Sequence, residues 1–190
     1  MILPSILQSA HHWAAKVLTP GGTAIDATTG NGHDTLFLAR QAGSNGRVFG
    51  FDVQEQAIIQ THHRLLAENE HHQVTLFQKS HHQMQEVLPK DLLGNVQVVM
   101  FNLGYLPHGD KTIVTKPDTT IKAMDTSLKY LAPGGLLIAA LYTGHPGGQK
   151  EADQVIEWAS GLPPCFFQVM WQQIINRNQS PSLLIIEKRS

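Results

Sequence analysis

The stretch Ile25-Asp26-Ala27-Thr28-Thr29-Gly30-Asn31-Gly32-His33-Asp34-Thr35 decides how the rest of the chain is read. The apolar run TAIDA at 23–27 is short enough for a buried strand, and a Gly-rich turn closes it. The turn leads directly into DTLFLARQAG at 34–43, whose apolar residues suit a helix that Gly43 can end. Gly30 and Gly32 allow the backbone to turn tightly and to approach a ligand with no Cβ in the way. The helix start behind them offers unpaired N–H groups. Strand, glycine turn and helix in that order mark a ligand-binding loop.

A Gly-x-Gly pair says little alone, so its surroundings must decide. Asp52 stands at the end of the next apolar run, RVFGFDV at 47–53, 20 positions beyond Gly32. A carboxylate there can accept both hydroxyls of an adenosine ribose. That leaves nicotinamide dinucleotides and S-adenosylmethionine in competition. Asp26, just ahead of the glycines, would repel a pyrophosphate but suits the ammonium of a methionine. Thr35 occupies the place of the third glycine or alanine of a dinucleotide fingerprint. Both features favour S-adenosylmethionine. Thr28, Asn31, His33, Asp34 and Gln54 join the candidate cofactor contacts, as do Ser80 and His81, which follow the third strand where an adenine would lie.

Further along the chain the alternation continues. A helix at 55–69, a strand at 73–78, a short helix at 83–88, a strand at 96–102, a helix at 119–132, a strand at 134–142 and a helix at 149–160 are expected in turn. The strands are nearly continuous in apolar residues, as when helices cover both faces of a parallel sheet. The chain closes with FFQVMWQQIIN (166–176) and SLLIIEKR (182–189) around the turn signal at 177–181, an antiparallel hairpin. A plain dinucleotide fold would continue the parallel pattern there. The expected fold class is therefore α/β, a Rossmann-like methyltransferase sheet of seven strands, mostly parallel, with helices on both faces and a C-terminal antiparallel hairpin. An amphipathic helix at 5–18, capped by Ser5, precedes it, and residues 1–190 read as one domain with the N-terminal helix packed on it.

Composition limits the function classes. Of 190 residues 42% are hydrophobic, enough for a sizeable core, and 14 Lys+Arg against 15 Asp+Glu give a formal net charge of −1. A polyanionic partner must then be held by a local patch rather than by a basic coat. One cysteine, Cys165, excludes an internal disulfide and a multi-thiolate site, which fits a reducing cytoplasm. The first 22 residues carry no export signal, and no run approaches the ~18 apolar residues of a membrane span. Eight of the 11 histidines fall in adjacent pairs without shared ligand spacing, so no metal is expected.

Chemistry is expected at the end of the fourth strand, in Phe101-Asn102-Leu103-Gly104-Tyr105-Leu106-Pro107. Asn102 to Tyr105 has the outline of the Asn/Asp-Pro-Pro-Tyr motif of methyltransferases that act on planar or exocyclic nitrogen, with Leu103 and Gly104 in place of the prolines. The Asn102 amide oxygen and a following backbone carbonyl can accept two N–H bonds from an amine and so aim its lone pair. Tyr105 is placed to stack on a base or to face a cation with its ring. The polar loop at 108–120 is longer than a connector needs, and it supplies His108, Asp110, Lys111, Lys116 and Thr119. Its lysines are suited to phosphate contacts on RNA. A second loop, with Tyr142 and His145, opens on the same sheet edge.

Taken together, DATTGNGHDT (26–35), FNLGYLPHGDK (101–111), TKPDTT (115–120), LAPGG (131–135) and HPGG (145–148) resemble a small bacterial family once labelled ribosomal RNA methylases. Its characterised members look like tRNA methyltransferases that convert the 5-aminomethyl group of a wobble 2-thiouridine to 5-methylaminomethyl. The likeness runs from about Thr23 to Gly148. It implies that Asp26, Gly30, Gly32 and Asp52 hold S-adenosylmethionine, and that Asn102, Tyr105, Asp110 and His145 surround the target amine. The implied partner is the anticodon region of tRNA, and a homodimer is compatible with this reading. An alkylamine has a reference pKa of about 10, so a proton must leave before it reacts. His108, Asp110 and His145 are the candidates to accept it, with Asp110 as an orienting acceptor. A ribosomal RNA or small-molecule amine methyltransferase would use the same cofactor loop, and an RNA-binding module with a relic pocket is the alternative from another class.

Overall fold

The computed structural model describes residues 2–104 and 114–189. Candidate residues Tyr105, His108, Asp110 and Lys111 lie outside the described residues. Helix α1 (Ile6–Val17) starts on a capping box, the Ser5 hydroxyl accepting the Gln8 N–H while the Gln8 amide oxygen accepts the Ser5 N–H. Then follow β1 (Thr23–Asp26), α2 (His33–Ala42), β2 (Arg47–Asp52), α3 (Glu55–Ala67) and β3 (Val74–Gln78). A 3₁₀ turn at His81–Gln83 runs into α4 (Met84–Val87). After it come β4 (Val96–Leu103), α5 (Pro117–Tyr130), β5 (Leu131–Leu141), α6 (Gly148–Ser160), β6 (Phe167–Gln173) and β7 (Ser182–Lys188).

Two boundaries differ from expectation at one helix. The helix foreseen at 119–132 begins at Pro117, whose fixed φ suits the first helical position. It ends at Tyr130 because Pro133 forces the residue before it out of the helical region, and β5 takes over at Leu131.

Among the described residues seven strands form one sheet in the order β3-β2-β1-β4-β5-β7-β6. The first five run parallel to one another, whereas β7 runs antiparallel to β5 and to β6. Alternate residues of the central strands face opposite ways, which divides the core in two. Val98 and Met100 of β4 meet Ile6, Ala10 and Ala14 of α1 and Leu36, Leu38 and Ala39 of α2. Val99, Phe101 and Leu103 meet Ala123, Met124 and Leu128 of α5 and Ala152, Val155 and Ala159 of α6. The strand order reverses between β1 and β4, and a crevice opens there at the C-terminal ends of the strands. Among the described residues no helix is long and apolar enough to cross a membrane.

Candidate active site

The crevice is a cavity of about 710 Å³, within the range of small-molecule sites. Its floor is the turn after β1. Gly30 and Gly32 have φ of +52° and +78°, values that a side chain would strain. Gly32 also lies against α3, since a Cβ there would sit 2.8 Å from the Thr61 Cα. Two residues of α3 hold the turn from behind. The Thr61 hydroxyl donates to the Gly30 carbonyl (3.1 Å) and the Arg64 Nε to the Asn31 carbonyl (2.7 Å), while an Arg64 terminal nitrogen reaches the His33 Nε2 (3.2 Å). Nothing in the sequence pattern singled out Thr61 or Arg64. Their spacing of three places both on one face of α3, and that is the signal available in retrospect.

Asp26, Gly32 and Thr35 support the floor without lining the cavity, whereas Thr28, Gly30, Asn31, His33 and Asp34 line it. Asp26 is fully buried and accepts the Thr28 N–H (3.1 Å) on one oxygen and the Thr35 hydroxyl (2.6 Å) on the other. Burial pushes its carboxyl up to about 7. The negative charges of Asp34 and Asp52 add to the rise, and the Thr35 hydroxyl and Thr28 N–H counter it. The sequence suggested a carboxylate offered to a ligand's ammonium. The folded chain uses this carboxyl to join the end of β1 to the first turn of α2.

Asp52 ends β2 on the cavity wall, accepting the Gly30 N–H (3.0 Å) and the Gln54 N–H (3.0 Å). Burial raises its pKa, and the N–H groups of Gln54, Gly30 and Val53 oppose the rise. Gln54, Ser80 and His81 lie on the same side, with Phe51 and Val53 between. Burial pushes the His81 imidazole down to about 4, so it is neutral, and it meets the Phe101 ring edge-on at 5.7 Å. Two buried polar atoms on this wall, Thr29 Oγ1 and His81 Nε2, have no hydrogen-bond partner among the described residues. Orphaned buried groups of this kind call for a polar ligand. Together with acceptors at Asp52 and a glycine floor, they fit an adenosyl donor.

The opposite wall carries the reaction-centre candidates. Asn102 gives its backbone N–H to the Thr28 hydroxyl (2.7 Å) and its side-chain NH₂ to Asp34 Oδ2 (2.5 Å). Leu103 is buried and does not line the cavity, and its carbonyl accepts the Tyr142 N–H at 3.3 Å. Gly104, Thr119, Tyr142 and His145 line it, and Lys116 is exposed just outside. Gly104 lies beside the His145 ring, 3.6 Å from the position its own Cβ would take. Burial and the charge of Asp34 both raise the Tyr142 hydroxyl above its ordinary pKa.

Glu151, in the first turn of α6, accepts the hydroxyls of Thr115 (2.6 Å) and Thr120 (2.7 Å), so a buried carboxyl ties two residues of TKPDTT to the helix that follows HPGG. Sequence reasoning missed Glu151, Leu7 of α1 and Gln179 of the β6–β7 turn, the last two lining the cavity from segments that carry no motif.

A sheet in this order with an inverted β7 is the class I methyltransferase topology, and the cavity opens at its topological switch point. The family model described as "Putative rRNA methylase" matches residues 48–188, and the chain belongs to this family. It is 39% identical to the chloroplastic tRNA (mnm5s2U34)-methyltransferase of Arabidopsis thaliana over 95% of this chain and 68% of the plant protein. A Clostridium thermocellum structure described as a "putative rRNA-methylase" superposes with a TM-score of 0.94 at 39% identity, covering 99% of this chain and all of that one. A Streptococcus mutans structure described as "a putative methyltransferase" in complex with SAH gives a TM-score of 0.88 at 36% identity, over 98% of this chain and 99% of its own.

Proposed function

We propose that the protein is an S-adenosylmethionine-dependent N-methyltransferase that converts the 5-aminomethyl group of a wobble 2-thiouridine in tRNA to 5-methylaminomethyl. The observation that carries this reading is the Asn102 side chain on the cavity wall, its amide nitrogen engaged by Asp34 and its oxygen without a donor among the described residues. The name of the plant relative supports the choice of substrate. Residues 1–190 act as one catalytic unit in this reading, working in the cytoplasm on the anticodon region.

Bound to the floor, S-adenosylmethionine supplies a sulfonium methyl carbon for in-line displacement by a nitrogen lone pair. Asp52 accepts the ribose hydroxyls, Thr28 to Asp34 shape the floor, and Ser80 and His81 border the adenine. Asn102 accepts an N–H of the amine and fixes the direction of its lone pair. Asp34, beside Asn102, attracts the amine while it is still an ammonium. The proton leaves before transfer, through Asp110, His108 or His145. Gly104 keeps the approach to His145 open, Tyr142, Tyr105 and Thr119 wall the base, and Lys111 and Lys116 hold phosphates.

Mass spectrometry of wobble nucleosides from cells lacking the gene tests the substrate: accumulated aminomethyl-thiouridine is expected, and an unchanged nucleoside profile rejects the assignment. Calorimetry with S-adenosylmethionine tests the donor, since a relic RNA-binding module shows no affinity. Asn102→Ala is expected to lose most turnover while retaining donor binding. A loss of donor affinity instead removes Asn102 from the reaction centre.

A further inference from the structure

We propose that His11, on the N-terminal helix, is a positioning residue for the reaction centre. Acting through Asp34, it fixes the Asn102 amide with its oxygen turned to the methyl acceptor. The inference rests on the reading of Asn102 given above. His11 and Asp34 both lie outside the residues matched by the family model.

An ionised carboxylate only accepts hydrogen bonds, so both groups that meet Asp34 must donate. Asn102 Nδ2 reaches Asp34 Oδ2 at 2.5 Å, and His11 Nε2 reaches Asp34 Oδ1 at 2.5 Å. The contact therefore puts a proton on His11 Nε2 and turns the NH₂ end of Asn102 toward Asp34, which directs the carbonyl end away from it. An asparagine amide has a broad, roughly two-fold terminal torsion of its own. A carboxylate held to one side is what selects between its two orientations.

His11 is in turn held firmly. Its ring lies flat on Phe37, with centroids 3.9 Å apart and planes within 1°. Phe37 follows Asp34 by three residues on α2, so one helix face presents both the acceptor and the platform on which its partner rests. From the other side, α1 is anchored by its capping box and by the burial of Ile6, Ala10 and Ala14. The line from α1 through Asp34 to Asn102 thus joins three elements that one shared core cluster holds together. Orientation is the main help such a site gives to methyl transfer, and a misplacement of about 1 Å can cost on the order of a hundredfold in rate.

The test uses the full chain and compares His11→Ala, His11→Gln, Asn102→Ala and the His11→Ala/Asn102→Ala double variant. His11→Ala is expected to lower turnover on tRNA by about tenfold or more with donor affinity unchanged, beside the modest fall in Tm that follows from losing the Phe37 stack and the Asp34 hydrogen bond. His11→Gln, whose side-chain NH₂ can still donate, recovers most of the loss. In the Asn102→Ala background His11→Ala costs nothing further, because the amide it positions is gone. Unchanged turnover in His11→Ala, a fall in donor affinity or Tm instead of turnover, or an equal loss in both backgrounds overturns the proposal. A second readout needs no substrate. The Asn102 side-chain NH₂ resonance, identified by its disappearance in Asn102→Ala, is expected to move in His11→Ala and to stay in place in a control at the exposed His12, His12→Ala. A resonance that does not move in His11→Ala refutes the positioning role, and one that moves sustains it even where the chosen tRNA proves not to be methylated, in which case only the substrate assignment fails.

Discussion

Replacing Asp26 by asparagine separates support of the cofactor loop from a charge offered to a ligand. Asp26 is wholly buried, and its carboxyl titrates at about 7 in the folded chain against an ordinary 3.8. A group whose pKa is raised by folding stabilises the native state fully below its unfolded pKa, and that contribution is lost as pH rises through the folded value. The affected window is pH 3.8 to about 7, with the contribution gone above it. At about 1.4 kcal/mol per pH unit, the linkage is of order 4 kcal/mol. The asparagine of Asp26→Asn does not titrate, yet its oxygen can accept the Thr28 N–H and its NH₂ can donate to the Thr35 hydroxyl. The variant should therefore gain on the wild type as pH rises. Urea denaturation of both proteins at pH 5 and pH 8.5 gives four stabilities, and their double difference cancels every other titrating group. Because about 1.2 pH units of that window lie below pH 5, the double difference is expected to favour the variant at the higher pH by about 3 kcal/mol. Parallel pH dependence in the two proteins would refute the buried-carboxyl reasoning. A large loss of donor affinity in the variant at unchanged stability would return Asp26 to direct ligand contact.

Asp52→Ala removes the acceptor of the Gly30 and Gln54 N–H groups along with the proposed ribose contact. Hydrogen bonds to charged groups contribute about 1.5–3 kcal/mol, so calorimetry should show donor binding weakened roughly tenfold to a hundredfold, and unaltered affinity would remove Asp52 from the cofactor site. Glu151→Ala strands the buried Thr120 hydroxyl and frees Thr115; denaturation should report a loss of about 1–3 kcal/mol, most of it restored in Glu151→Gln. An unchanged midpoint would mean that the two hydroxyls find other partners. His81, held near 4, stays neutral above pH 5.5, so donor affinity should be level from pH 5.5 to 8.5 in calorimetry as far as this residue decides it, and a step that disappears in His81→Phe would contradict its neutrality. The methylation rate, by contrast, should rise with pH as the substrate amine loses its proton, and a flat profile from pH 6 to 9 with chemistry rate-limiting would be incompatible with the proposed nucleophile.

Most of the architecture was legible along the chain because it rests on local signals. TAIDA, RVFGFDV and VQVVMFN are nearly continuous in apolar residues, as strands covered on both faces are, and the structure has β1, β2 and β4 there. Ser5 and Gly43, both read as caps from the sequence, are the caps that α1 and α2 use. The closing hairpin followed from two apolar runs about one polar turn, and β7 indeed lies antiparallel between β5 and β6.

Which residues form the site's surface, and which stand behind it, was settled only by tertiary packing. Asp26 and Asp34 read alike in the sequence, two acids flanking a glycine turn. The first is enclosed beneath the loop, and the second stands on the cavity wall between His11 and Asn102. No spacing rule reaches from residue 11 to 34 to 102, because these neighbours are set by how α1 and α2 pack on the face of the sheet that Val98 and Met100 of β4 present. Thr61, Arg64 and Glu151 were illegible for the same reason, each acting through a partner roughly 30 residues away on another element. Periodicity and caps determined where strands and helices run, since those forces act within a few residues. Burial and side-chain pairing across elements act between distant residues, and they alone decided what each polar group of the site does.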